Sequence, residues 1–163
     1  MDAVTSSRSA QVTLPTDEQI VITRDFDAPK NLVYDAYTKP ELVRRWWHAN
    51  RGDMQVAEID LRVGGKWRYA MVTPDGMEVA FNGEYKEIVP NERLVSTESY
   101  EGAPGAGATL NTATFEELDG RTRLTILVQC PSKEVRDAII ESGMEAGLQD
   151  ALDLLEEVAV SLR

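Results

Sequence analysis

From Met54 to Cys130 the chain holds a two-residue hydrophobic period through six consecutive segments, interrupted only by short turns. That pattern constrains the fold more than any other feature. Connections this short cannot carry a crossover helix, so successive strands must pair with their neighbours as an antiparallel meander. Ala57, Ile59, Leu61 and Val63 alternate with Glu58, Asp60 and Arg62 until Gly64-Gly65 turns the chain. Trp67, Tyr69 and Met71 share a face of the next segment. Pro74-Asp75-Gly76 has turn chemistry, because proline presets φ and glycine accepts a positive one. Val79, Phe81 and Tyr85 then share a face, with Gly83 between them. Pro90-Asn91 leads into Arg93 to Tyr100, and residues 102–107 read as a flexible loop. The last hairpin runs from Leu110 to Leu118, turns at Asp119-Gly120 and returns from Arg121 to Cys130.

Helical patterns flank the meander. Gln19 to Phe26 is a β-branched run that predicts a first strand, which makes about seven strands in all. Asp27 is then the expected cap of a short helix, with Pro29 in its first turn and Leu32, Val33, Ala36 and Tyr37 at helical spacing. Lys39-Pro40 interrupts the pattern, because the residue before a proline disfavours the helical region. A second short helix is expected from about Glu41 to Trp47. After Pro131, Ser132 is placed to cap one long helix with an inward stripe of Val135, Ile139, Ala146, Ala151, Leu155 and Val158. Gly143 and Gly147 sit four apart inside it. Each costs about 1 kcal/mol against alanine, so a close approach, a bend or room for a ligand must explain them. The class is therefore α+β: a curved antiparallel sheet around a long C-terminal helix, with two short helices after the first strand. Residues 1–18 read as a flexible tail and residues 19–163 as a single domain.

Composition excludes several functions. A net charge of -11 repels phosphate backbones and argues against nucleic acid as a partner. No apolar run approaches the ~18 residues that span a bilayer, and the N-terminus lacks the apolar stretch of a signal peptide. Cys130 is the only cysteine, so no internal disulfide forms, and a cytoplasmic location is expected. His48 is the only histidine, which rules out a multi-histidine metal site. Gly64-Gly65 precedes a strand, and residues 102–107 lack the lysine of a phosphate loop, so no nucleotide cofactor is expected.

Several segments carry a resemblance to a known family. They are Phe26-Asp27-Ala28-Pro29, the run from Thr38 to Trp47, Arg62-Val63-Gly64-Gly65-Lys66-Trp67 and Gly83 to Ile88. Glu92-Arg93-Leu94-Val95, Asp119-Gly120-Arg121-Thr122 and the run from Ser142 to Leu148 continue the series in order. Together they resemble the bacterial activator-of-heat-shock-protein-ninety-ATPase-like proteins of the START/SRPBCC superfamily. The resemblance implies a helix-grip fold, as in the birch pollen allergen, with a deep apolar cavity between sheet and long helix. Superfamily members bind lipids, hormones and polyketides, and a minority are cyclases or hydrolases. A shared fold leaves the activity open.

The leading expectation is a protein that encloses a small hydrophobic or aromatic molecule. Trp47, Trp67, Tyr69, Met71, Phe81 and Tyr85 would line the wall, with Gly143 and Gly147 on the helix opposite. Tyr69 and Tyr85 would supply the polar tips that orient a mainly apolar guest. A chaperone-associated stress-response role is the alternative, and a cyclase- or hydrolase-like enzyme using His48, Glu87 or a tyrosine is the third reading. No catalytic residue, metal or cofactor is assigned. The expected partners are a small apolar ligand and a chaperone, with neither nucleic acid nor membrane, in a monomer or homodimer. Glu84 and Glu87 are read first as cross-strand charge partners.

Overall fold

The structure, a computed structural model, describes residues 9–163; residues 1–8 of the expected tail lie outside the described part. The remainder of that tail is not featureless, because β1 (Gln11–Thr13) pairs antiparallel with β2 (Gln19–Phe26). Two short helices follow, α1 (Lys30–Thr38) and α2 (Pro40–Val43). Then come β3 (Asp53–Ile59), β4 (Lys66–Val72), β5 (Glu78–Val89), β6 (Arg93–Tyr100), β7 (Thr109–Leu118) and β8 (Arg121–Gln129). Two helices, α3 (Lys133–Glu141) and α4 (Met144–Ser161), end the chain. All pairings are antiparallel, in one eight-stranded sheet of order β1-β2-β8-β7-β6-β5-β4-β3. The expected seven strands are thus eight. The addition is a three-residue edge strand too short to show a period in the sequence.

The expected turns close as their chemistry requires. Asp119 and Gly120 have φ of 52° and 81°, the paired positive values of a two-residue hairpin. Gly76, at φ 87°, closes the β4–β5 turn, where the Thr73 amide donates to the Met77 carbonyl. One alternation ends early. β3 carries a bulge between Met54 and Val56 and stops at Ile59, so Leu61 and Val63 lie exposed in the following turn.

At the helix ends, Ser132 caps α3 as expected, its Oγ accepting from the Val135 amide at 3.2 Å. Asp27 does not cap α1; that position is Pro29, which makes no side-chain cap bond. The single long C-terminal helix is in fact two. Gly143 takes φ 82°, a left-handed conformation that glycine enters without strain, and it ends α3 before α4 starts. A bend is therefore the reason for one of the two unexplained glycines. The break also moves the stripe: Ala146 is exposed, and the buried face of α4 is Ala151, Leu152, Leu155, Glu156, Val158 and Ala159.

The core gathers on one sheet face, where Ile20, Phe26, Phe115 and Leu124 meet Val33 of α1 and Leu155 of α4. One polar clamp fixes α4 against β2. Arg24, 2% exposed, reaches Glu156 at 2.9 Å and Asp153 at 2.8 Å. The second oxygen of Glu156 accepts the Asp27 amide at 2.8 Å. Gln149 bonds both the amide and the carbonyl of Ala10, which ties the N-terminal segment to the same helix.

Candidate ligand-binding site

The inner face of β4, β5, β6 and β7 is set by register. Trp67 stands opposite Gly83, and Tyr69 opposite Phe81. Tyr85 pairs with Ser96 and Phe81 with Tyr100, and Glu98 lies between Ser96 and Tyr100 on the same face of β6. Glu98 in turn pairs with Thr109, and Ser96 with Asn111. Directly paired residues share a face, so these side chains form adjoining rows on one surface.

Trp47 connects the turn after α2 to this surface. Its ring lies 5.5 Å from Tyr69 and 5.8 Å from Phe81, in edge-on contacts. Trp67 and Tyr69 are 4.7 Å apart, and Phe81 and Tyr100 are 4.9 Å apart. Five of the expected wall residues (Trp47, Trp67, Tyr69, Phe81 and Tyr85) thus share one aromatic surface. Met71 is buried one step further along β4, paired with Met54 and Val79. The glycines are not part of this set. Gly143 is exposed at the helix break, with open space where a side chain would stand. Gly147 looks toward Arg51, whose Nε would lie 4.0 Å from an added methyl. Trp46, beside Trp47, braces the helix pair instead. Its indole N–H donates to the Ala36 carbonyl at 2.8 Å, and its ring stacks on Tyr37.

Several residues outside the expected wall set belong to the same region. Tyr34 and Tyr37 of α1 both meet Phe115 edge-on, at 5.5 and 5.7 Å. Glu98 accepts a hydrogen bond from Asn111 at 2.8 Å, and Asn111 accepts one from Thr109 at 2.9 Å. Burial pushes the Glu98 carboxyl above the usual carboxylate range, against the opposing pull of that Asn111 bond. The Tyr37, Tyr69 and Tyr85 phenols are held well above their ordinary range, first by burial and then by one another or neighbouring groups. Glu98 adds to this shift at Tyr37 and Tyr69, and Tyr69 and Tyr85 lie within hydrogen-bonding reach of each other. One signal for Glu98 was available: it has the same strand parity as Leu94 and Ser96. Val95 on the opposite parity obscured it.

The other reactive residues are engaged elsewhere. His48 Nδ1 accepts the Asn50 amide at 2.9 Å. Glu84 pairs with Lys66 and Lys86, and Glu87 with Arg93 at 3.1 Å, which are charge contacts of the expected kind. Cys130 is 2% exposed, and burial pushes its thiol up, away from the reactive thiolate. Among the described residues, no group of three or more His, Cys, Asp and Glu is disposed to hold a metal ion. No helix among them is long and apolar enough to cross a membrane. A concavity of about 570 Å³ opens beside Arg44, His48, Arg51, Asp53 and Pro74. It is an open, mixed-polarity groove, separate from the aromatic surface.

A family model matches residues 27–159, described as activator of Hsp90 ATPase homolog 1-like protein. The chain belongs to that family. Solved structures agree with the assignment. A protein from Rhodobacter sphaeroides is 25% identical, with a TM-score of 0.87 over 94% of this chain and 99% of that one. A protein from Arthrobacter aurescens is 27% identical, with a TM-score of 0.83 over 93% of this chain and 91% of that one. A search of curated proteins finds no match. Family membership accounts for the curved sheet and C-terminal helix together. It names no ligand.

Proposed function

We propose that this member of the family binds a small apolar or aromatic molecule between the inner sheet face and the C-terminal helices. One observation carries the reading: two apolar surfaces are each left incompletely covered. Trp47, Tyr37 and Phe81 on one side, and Ile140, Met144 and Leu148 on the other, pack against the core yet stay only half-buried. A close-packed interior would cover them fully. A guest the size of a tryptophan side chain, about 200 Å², would gain roughly 5 kcal/mol on burial at ~25 cal/mol per Å². Binding costs reduce that gain, so affinities from high micromolar to millimolar are expected for an unoptimised probe.

The test is a titration with N-phenyl-1-naphthylamine, a neutral apolar fluorophore. A saturable rise in its emission, weakened in Trp47→Ala, is the expected result. An emission that only drifts linearly with protein, for both chains, would overturn the proposal.

The family description favours a second reading, association with a chaperone and stimulation of its ATP hydrolysis in a stress response. A coupled ATPase assay with the purified chaperone decides it. An unchanged rate at saturating protein would rule it out.

A further inference from the structure

Glu98 is a half-buried carboxyl beside the aromatic surface, joined to no cation among the described residues. Its one hydrogen-bond partner there is Asn111, at 2.8 Å, itself fixed by Thr109. Its paired neighbour on β7, Thr109, lacks charge, as do Trp67 and Gly83, which pair with each other on β4 and β5. An added methyl at Gly83 would fall 1.8 Å from the Thr97 carbonyl oxygen and 2.6 Å from Trp67 Nε1, so the indole edge packs directly against the glycine. That indole N–H, on a residue 7% exposed, has no hydrogen-bond partner among the described residues. The Tyr34 hydroxyl, on a residue 6% exposed, also has none. Leaving buried polar groups unsatisfied is costly, and native structures rarely place several around one surface without a partner to come. An apolar guest alone would satisfy none of them.

We propose that Glu98 is the polar anchor of the binding site, and that the ligand carries a hydrogen-bond donor, a hydroxyl or an amine, on its apolar body. Resting on the binding proposed above, this inference narrows the class of guest. A hydroxyl can donate to Glu98 and still accept from a donor such as Trp67 Nε1, while an amine places a cation against the carboxyl. Ligands ending in a carboxylate are disfavoured, because they would set a second negative charge beside the partly desolvated Glu98. The class therefore excludes free fatty acids.

Three probes sharing one naphthalene body test it: 2-naphthylmethylamine, 2-naphthalenemethanol and 2-naphthoate, titrated by calorimetry at pH 7 into the full chain and into Glu98→Gln. The wild-type protein should bind the amine or the alcohol about tenfold or more tighter than the carboxylate, the size of one hydrogen bond to a charged group. Glu98→Gln should bring all three within about threefold of one another. If the wild type holds naphthoate as tightly as the other two, the assignment fails, whatever the fate of the variant. A preference that survives Glu98→Gln intact removes Glu98 from the role while leaving the pocket standing. Absence of heat from all three probes, with N-phenyl-1-naphthylamine also unbound, overturns the binding proposal and this one with it.

Discussion

Glu156→Ala should be among the most damaging single substitutions in this chain, although it removes a charged residue from a helix. Glu156 is 8% exposed and serves two partners, Arg24 Nη2 at 2.9 Å and the Asp27 amide at 2.8 Å. Its loss leaves Arg24, 2% exposed, with Asp153 as its only carboxylate, and the Asp153 side chain is 59% exposed. The Arg24 Nε already lacks a partner among the described residues. Removing one member of a buried pair costs about 3–5 kcal/mol, since the surviving charge stays buried without compensation. For a chain of this length each kcal/mol lowers the melting temperature by about 2–4 °C, so the drop should be roughly 6–20 °C. Asp153→Ala removes a solvent-screened partner and should cost about 0–1 kcal/mol. The double variant Arg24→Met/Glu156→Leu, which removes both charges and fills the space, should recover most of the loss. Thermal melts by circular dichroism at pH 7, with urea titrations as a check, measure all three. A Glu156→Ala melt within about 3 °C of the wild type would refute the reasoning. So would an Asp153→Ala variant that is equally unstable.

Two glycines should separate steric from conformational cost. Gly83→Ala puts a methyl 1.8 Å from the Thr97 carbonyl oxygen, a backbone atom that cannot move aside alone, and should cost about 3 kcal/mol or more. Gly143→Ala meets nothing but must adopt φ 82°, so it should cost about 1–2 kcal/mol; urea midpoints that ranked the two in reverse would contradict this account. Acid should weaken one ion pair on the outer sheet face. Arg68, then Asn82, hold the Glu101 carboxyl near pKa 2 rather than the ordinary 4.5, so its contribution is present above pH 4.5 and lost as pH falls toward 2. The difference in melting temperature between the wild type and Glu101→Gln should shrink across that window. A difference that stays constant from pH 6 to about 2 would rule out the linkage.

Much of the framework could be read from local pattern. The alternation of Trp67, Tyr69 and Met71, the Asp119-Gly120 turn and the Ser132 cap each depend on a few adjacent residues. The failures have a shared character. Leu61 and Val63 continue an alternation that the bulge at Met54/Val56 and the end of β3 cut short. Gly143 was visible, but whether a glycine bends a helix or lies within it depends on what the next turn packs against. Glu98 carries a charge, and periodicity treats a charge as a sign of solvent.

The sequence by itself determined the order of most elements, the antiparallel pairing and the aromatic character of one sheet face, because turn chemistry and side-chain period act over a few residues. It also carried the family, through short segments kept in order along the chain. Only the tertiary structure decided which charges are buried and what compensates them. Arg24 meets Glu156 across 132 positions of sequence, and the half-buried Glu98 is held by Asn111 of the neighbouring strand. Burial belongs to the assembled layers, since a side chain loses water only when a distant element covers it.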